Sequence, residues 1–149
     1  MASIDTYSMI KVVQALEAIV VNNDTEGTGV VVDTAGYEGC TIVVNVGASG
    51  DTLSETVKHS LTLQEGALAD GTDMAAVAEA DMLGATAGTT TGQFALIDDP
   101  AEDSTVVKVG YRGTKQYVRI FDDTTGTHTN GTPMSASAIL SHPMHAPVA

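Results

Sequence analysis

The sequence predicts an all-β fold: a β-sandwich or jelly-roll-like domain with one short helix and extended N- and C-terminal arms. Apolar and polar residues alternate along most hydrophobic segments, as they do in strands with one buried face. In residues 105–113, for example, Val107 and Val109 share one face and Lys108 takes the other. Short stretches rich in Gly, Asp, Asn and Thr separate these segments, which is typical of sandwiches and barrels.

The elements of the predicted domain follow in chain order. Residues 1–20 form either an arm or the first strand. The conformation stays open because the apolar residues of "VVQALEAIVV" fit both the spacing of a helix and that of a strand. Residues 21–141 form the sandwich. Its expected strands are 30–33, 40–46, 57–65, 93–98, 105–113, 116–123 and 134–141. The Ala-rich segment 75–84 predicts a short helix that stops at Gly84.

The last segment, "HPMHAPVA" at 142–149, is expected to leave the domain as an extended tail. Pro143 and Pro147 restrict φ and remove two backbone donors, so a further strand is disfavoured. The alternative is that the tail folds back over an open end of its own sandwich. The residues expected to contact an adjacent subunit or a partner protein lie in the two terminal segments: Met9, Ile10, Val12, His142, Met144, His145 and Pro147.

Charge and composition restrict the partners. The chain of 149 residues has 19 Asp and Glu against 6 Lys and Arg, a net charge of −13. This charge repels nucleic acid and anionic membranes, so neither is expected as a partner. No stretch approaches the roughly 20 apolar residues of a membrane helix, and the N-terminus lacks the pattern of a secretory signal, so we expect synthesis in the cytoplasm. Cys40 lies in an apolar run and is expected to be a buried thiol.

No metal, cofactor or catalytic site is expected. Zinc sites need three or four converging ligands, whereas the histidines are scattered: His59, His128, His142 and His145. The acidic loops at 98–103 and 122–123 lack the ligand spacing of an EF-hand. The nucleophile-elbow, zinc-protease, P-loop and dinucleotide motifs are missing, so the chain is not expected to be an enzyme.

Three stretches, 11–48, 60–84 and 107–148, resemble a known family. The most distinctive piece is "VGYRGTKQYVRI", followed by a Thr- and Gly-rich hairpin and "HPMHAPV". Together they are similar to the small structural proteins encoded near the major capsid gene of tailed bacteriophages, in particular head decoration or cement proteins. The sequence departs from that pattern at Met144, where a basic residue is common.

The resemblance implies a function and partners. A protein of this family would bind the major capsid protein on the outer surface of the head and stabilise the capsid lattice. The resemblance also implies a homotrimer at three-fold positions, made in the bacterial host cytoplasm and located on the virion exterior. The absence of an intrachain disulfide agrees with cytoplasmic assembly.

Two other functions fit the sequence less well. One is a neck or tail protein of the same virion, such as a tail tube or terminator subunit. The other is a carbohydrate-binding or calcium-dependent β-sandwich module. Sugar sites usually offer aromatic platforms, and this chain has no Trp and few other aromatic residues: Tyr7, Tyr37, Tyr111, Tyr117, Phe94 and Phe121.

Overall fold

The protein is a β-sandwich of two antiparallel sheets, as predicted, in a computed structural model that describes residues 5–84 and 90–145. The strands are β1 Ile10–Val21, β2 Gly27–Thr28, β3 Val32–Asp33, β4 Tyr37–Val46, β5 Lys58–Gly66, β6 Ala75–Ala76, β7 Met82–Leu83, β8 Gln93–Ile97, β9 Thr105–Tyr111, β10 Tyr117–Thr125 and β11 Thr132–Pro143. Two 3-10 turns, Tyr7–Met9 and Glu79–Asp81, are the only helical elements in these residues.

The first sheet has the strand order β1-β11-β4-β9-β7. Its inner face follows the alternation seen in the sequence: on β4, Ile42, Val44 and Val46 are buried and the intervening residues are not. On β11 the buried set comprises every second residue from Thr132 to Leu140. The predicted pattern therefore identifies which face of these strands meets the core.

The second sheet has the order β2-β10-β5-β6, with β3 also paired to β10 and β8 to β5. Leu61 and Leu63 of β5 and Val118 and Ile120 of β10 are fully buried against the first sheet. The core is built largely of aliphatic side chains, with Phe94 and Tyr111 as the only buried Phe or Tyr side chains among the described residues. A core of this kind depends on close interdigitation of many small groups.

The predicted helix at 75–84 is wrong. Ala75 and Ala76 pair with β5 as strand β6, and only Glu79–Asp81 forms a single 3-10 turn. The fully buried Val77 donates its backbone N–H to Leu63 O at 3.0 Å. Hydrogen bonds to a neighbouring strand thus outweigh the helix propensity of alanine, which amounts to only tenths of a kcal/mol per residue. Gly84 adopts a positive φ of 78°, but it does not end a helix.

The N-terminal segment, whose conformation the sequence left open, is a strand from Ile10 onwards. β1 pairs with β11 along most of its length, with irregular register between Gln14 and Leu16 and between Leu16 and Ile19. Tyr7–Met9 precedes it as a 3-10 turn. The apolar residues of this segment therefore lie on the two faces of a strand and not along one side of a helix.

The expectation that the chain leaves the domain after Ser141 is wrong for the next three residues. β11 continues to Pro143, which pairs with Tyr37, and Met144 N donates to Gly36 O at 2.9 Å. His142 has a positive φ of 53°, so this end of the strand is not regularly extended. Proline is tolerated here because β1 ends its pairing at Ser141, which leaves β11 with one neighbour. Pro147 lies outside the described residues.

We expect Gly131→Ala to destabilise the protein more than Gly36→Ala. Both glycines have positive φ, 75° and 84°, so alanine at either costs about 1–2 kcal/mol in the left-handed region. A Cβ at Gly131 would also lie 2.5 Å from Val21 O, whereas one at Gly36 meets nothing within 4 Å. Denaturant unfolding measures both variants, and equal losses of unfolding free energy would contradict the clash.

Candidate functional sites

The pairing of β1 with β11 brings the two predicted contact segments together at one corner of the first sheet. Ile10 pairs with Ser141, Val12 pairs with Ile139, and Met144 follows directly after the end of β11. All predicted contact residues except Pro147 lie here. We call this surface the terminal corner: Tyr7, Met9, Ile10, Val12, His142, Met144 and His145.

The terminal corner exposes large apolar side chains. Relative exposure is 88% for Tyr7, 44% for Met9, 58% for Val12 and 68% for Met144. Ile10 is half-buried and His142 and His145 are exposed. Contiguous apolar groups left in water on a small domain mark interaction surfaces more often than scattered ones do.

The outer face of the first sheet, next to the terminal corner, is almost uncharged. Val12, Ile139, Thr41, Gly110 and Leu83 lie in one cross-strand row. Lys108 is the only charged residue among the outward-facing positions of Ile10–Gln14, β4, β9 and β11, and none is acidic. In a chain with 19 carboxylates, this face is the surface that another protein could cover at the lowest electrostatic cost.

A cleft of ≈ 360 Å³ lies beside the terminal corner, lined by residues 34–40 and 111–116. Cys40, Tyr111 and Arg112 are among the side chains that line it. Burial raises the pKa of the Cys40 thiol to about 11, which keeps it protonated and unreactive at neutral pH. Burial, together with a hydrogen bond donated to Glu65, also raises the pKa of the Tyr111 hydroxyl. Arg112 is engaged as well, since its Nε donates to Ala80 O at 2.8 Å.

A buried polar network joins the two sheets at the opposite end of β11. His59 Nδ1 lies 2.6 Å from Asp122 Oδ2, and His59 Nε2 lies 2.8 Å from Thr132 Oγ1. Thr132 Oγ1 in turn donates to Ser49 Oγ at 3.0 Å. His59 and Asp122 belong to the second sheet, whereas Thr132 begins the last strand of the first sheet. The network therefore crosses the interior from sheet to sheet.

Both ring nitrogens of His59 are hydrogen-bonded within the core, so removing either partner would leave a buried ring nitrogen unsatisfied.

This order of carboxylate, imidazole and hydroxyl is also that of a hydrolase triad, but burial argues against catalysis here. His59 and Thr132 have no exposed surface and Asp122 has 3%. A hydroxyl that no substrate can reach cannot act as a nucleophile, so the network is structural. Sequence reasoning missed it, although one signal was present. His59 and Asp122 occupy inward positions of alternating strands, in phase with Leu61 and Ile120.

His128 packs against this network without joining it. Its ring centroid lies 4.4 Å from that of His59, with the planes inclined by 51°. His128 Nε2–H donates to Thr125 O at 3.0 Å, while His128 Nδ1 and Asp122 Oδ1 have no partner among the described residues. Two of the four histidines are thus core residues, and the other two lie at the terminal corner.

The loop before β11 is held by Asp51. Its carboxylate accepts from Gly131 N at 2.7 Å and from Asn130 N and Asn130 Nδ2. The hydrogen bond from Gly131 N, followed by those from Asn130, lowers the pKa of Asp51 below its usual 3.8. The neighbouring Thr132 is thereby placed against His59.

Within residues 5–84 and 90–145, no three His, Cys, Asp or Glu side chains are grouped closely enough to hold a metal ion. The acidic loop at 98–103 uses its carboxylates locally, as Asp99 accepts from Ala101 N and Glu102 from Asp98 N. Over the same described ranges, no helix has the length and apolar character needed to cross a membrane.

Asp122→Ala is expected to destabilise the fold by about 1–3 kcal/mol, because it removes the hydrogen-bond partner of the buried His59 Nδ1. The matched control is Asp123→Ala, one residue along β10, whose exposed side chain faces out. The control should change the unfolding free energy by less than about 0.5 kcal/mol. Chemical denaturation monitored by circular dichroism compares the two variants, and equal losses of unfolding free energy would contradict a structural role for the His59–Asp122 contact.

Asp51→Asn is expected to weaken the protein in a pH-dependent way. The folded pKa of Asp51 is lowered, so its stabilisation is present above the ordinary value of 3.8 and is lost as pH falls through the folded value. The stability difference from wild type should therefore be full at neutral pH and shrink in acid. Asp24→Asn, an exposed residue whose side chain makes no hydrogen bond within the described chain, is the control. A difference that stays constant from pH 7 to strong acid would contradict this role.

A scan against protein-family models and a search of the curated proteins found no match to this chain.

Proposed function

We propose that the protein is a decoration, or cement, protein of a tailed bacteriophage head. It binds the major capsid protein on the outer surface of the head and stabilises the lattice. The observation that carries the proposal is the terminal corner, where pairing of β1 with β11 places exposed apolar side chains from both ends of the chain together. The resemblance of the sequence to head proteins supplies the identity of the partner.

The physical character of the surface supports a docking role. Tyr7, Met9, Val12 and Met144 offer apolar contact area, and the adjoining sheet face adds no carboxylate that would have to be desolvated. Elsewhere the domain is strongly acidic, with a net charge of −13 for the whole chain. This charge keeps the protein soluble before assembly and away from packaged DNA.

Cementing follows from mass action. A protein that binds where capsid subunits meet, and not to separate subunits, stabilises the assembled lattice in proportion to its occupancy. Many symmetric copies make modest individual affinity sufficient. The proposed assembly is a homotrimer, which suits three-fold positions of a head, and the proposed location is the virion exterior.

Heads assembled without the protein should bind purified wild-type protein and should then release DNA at a higher temperature. Met144→Asp is expected to weaken this binding at least about tenfold, or 1.4 kcal/mol, because a carboxylate would be buried at the contact. Co-sedimentation measures the binding, and dye uptake on heating measures DNA release.

The matched control is Leu68→Asp, which places a carboxylate at a similarly exposed leucine, 50% accessible, in the loop after β5. It should bind and protect heads like wild type. Binding of Met144→Asp equal to that of Leu68→Asp would contradict the docking role of the terminal corner. Protein located at the neck or tail in averaged particle images would instead indicate a tail component.

A further inference from the structure

Among residues 5–84 and 90–145, the first half of β1 forms a sheet edge without a partner strand. β1 is the last strand of its sheet, and the described strand that pairs with it is β11. At Ala15 its outer edge is covered, since Val30 N donates to Ala15 O at 2.8 Å. From Ile10 to Gln14 no described residue hydrogen-bonds to that edge. These five residues span about 17 Å.

This edge lacks most of the structural features that prevent an exposed strand edge from pairing with a strand of another molecule. Natural sheets protect their edges with bulges, charges, prolines or covering loops. In β1 the irregular register begins only after Gln14, and the five residues Ile10–Gln14 pair with Ser137–Ser141 in unbroken register. Lys11 is their only charge, and Val12 is 58% exposed. The segment is regular, extended and open to strand addition.

The sequence of the segment, "IKVVQ", is suited to pair with a second copy of itself. In an antiparallel pair centred on Val12, the two Val12 side chains meet on the outer face. Lys11 then lies opposite Val13 of the other copy, and Ile10 opposite Gln14. No like charges face each other, which is the main requirement when both copies carry a net charge of −13.

We propose that two copies of this protein associate through antiparallel pairing of their Ile10–Gln14 edges, which joins their first sheets into one continuous sheet across a two-fold axis at Val12. The contact is isologous, so it closes with two copies. It does not depend on the proposed function. In a trimer bound to a head, an outward-facing β1 edge would join one trimer to its neighbour.

The test replaces Val12, which lies at the proposed two-fold axis, with cysteine in purified protein without heads. Opposed side chains in an antiparallel pair have Cβ atoms about 4.5–5.5 Å apart, so Val12→Cys should form a disulfide between identical positions under mild oxidation. The native Cys40 is buried and does not compete. Non-reducing electrophoresis should show a covalent dimer.

Val106→Cys is the matched control, because Val106 is 62% exposed on the outward face of β9 in the same sheet. We expect at least about tenfold more covalent dimer from Val12→Cys, equivalent to about 1.4 kcal/mol of pairing. Equal yields from the two variants, with melting temperatures like that of wild type, would overturn the proposal.

A charge exchange gives an independent readout that does not use oxidation. Val12→Asp alone and Val12→Lys alone should each fail to pair, because like charges would meet at the axis. An equimolar mixture of the two should restore the paired species in analytical ultracentrifugation. If both single variants pair as wild type does, the contact does not involve β1. Failure of either test leaves head binding by Met144 unaffected, so the two proposals fail separately.

Discussion

The hydrogen-bonded pair of His59 and Asp122 is the interaction on which the arrangement of the two sheets most depends. It lies wholly inside the sandwich, and the His59 ring is also hydrogen-bonded to Thr132 at the start of β11. A buried polar pair contributes little net stability compared with an apolar replacement, but removing one partner is costly because the other is left buried and unsatisfied. Because Ser49 and Asp51 hold the far side of the same region, the network defines where β11 begins relative to the second sheet.

That starting position has consequences along the whole strand. β11 runs from the network to Pro143, between β4 and β1, and it pairs with both in long antiparallel register. A displacement of one residue would turn Ala136, Ala138 and Leu140 out of the core. The same register places Ser141 beside Ile10, so the geometry of the terminal corner is set at the opposite end of the strand.

The distribution of charge separates the domain into two kinds of surface. Acidic residues are concentrated in loops, where water solvates them and where Asp51, Asp73 and Asp99 also accept backbone hydrogen bonds. Among the outward-facing positions of Ile10–Gln14, β4, β9 and β11 in the first sheet, Lys108 is the only charged residue. Like-charged copies repel each other over most of their surfaces. The electrostatic repulsion on close approach is therefore smallest at this sheet and its β1 edge.

Local pattern was sufficient for the sandwich class, for most strand positions and for the burial of Cys40, because alternation with period two and turn-forming residues are properties of short segments. It failed at 75–84, where hydrogen bonds from β5 outweigh the helix propensity of alanine. Local pattern also failed at 142–144, where the chain continues as a strand because Pro143 pairs with Tyr37 of β4. The hydrogen bond between His59 and Asp122 and the pairing of Ile10 with Ser141 join residues far apart in sequence. Only the tertiary structure decided them, since strand pairing is a long-range choice that no single segment encodes.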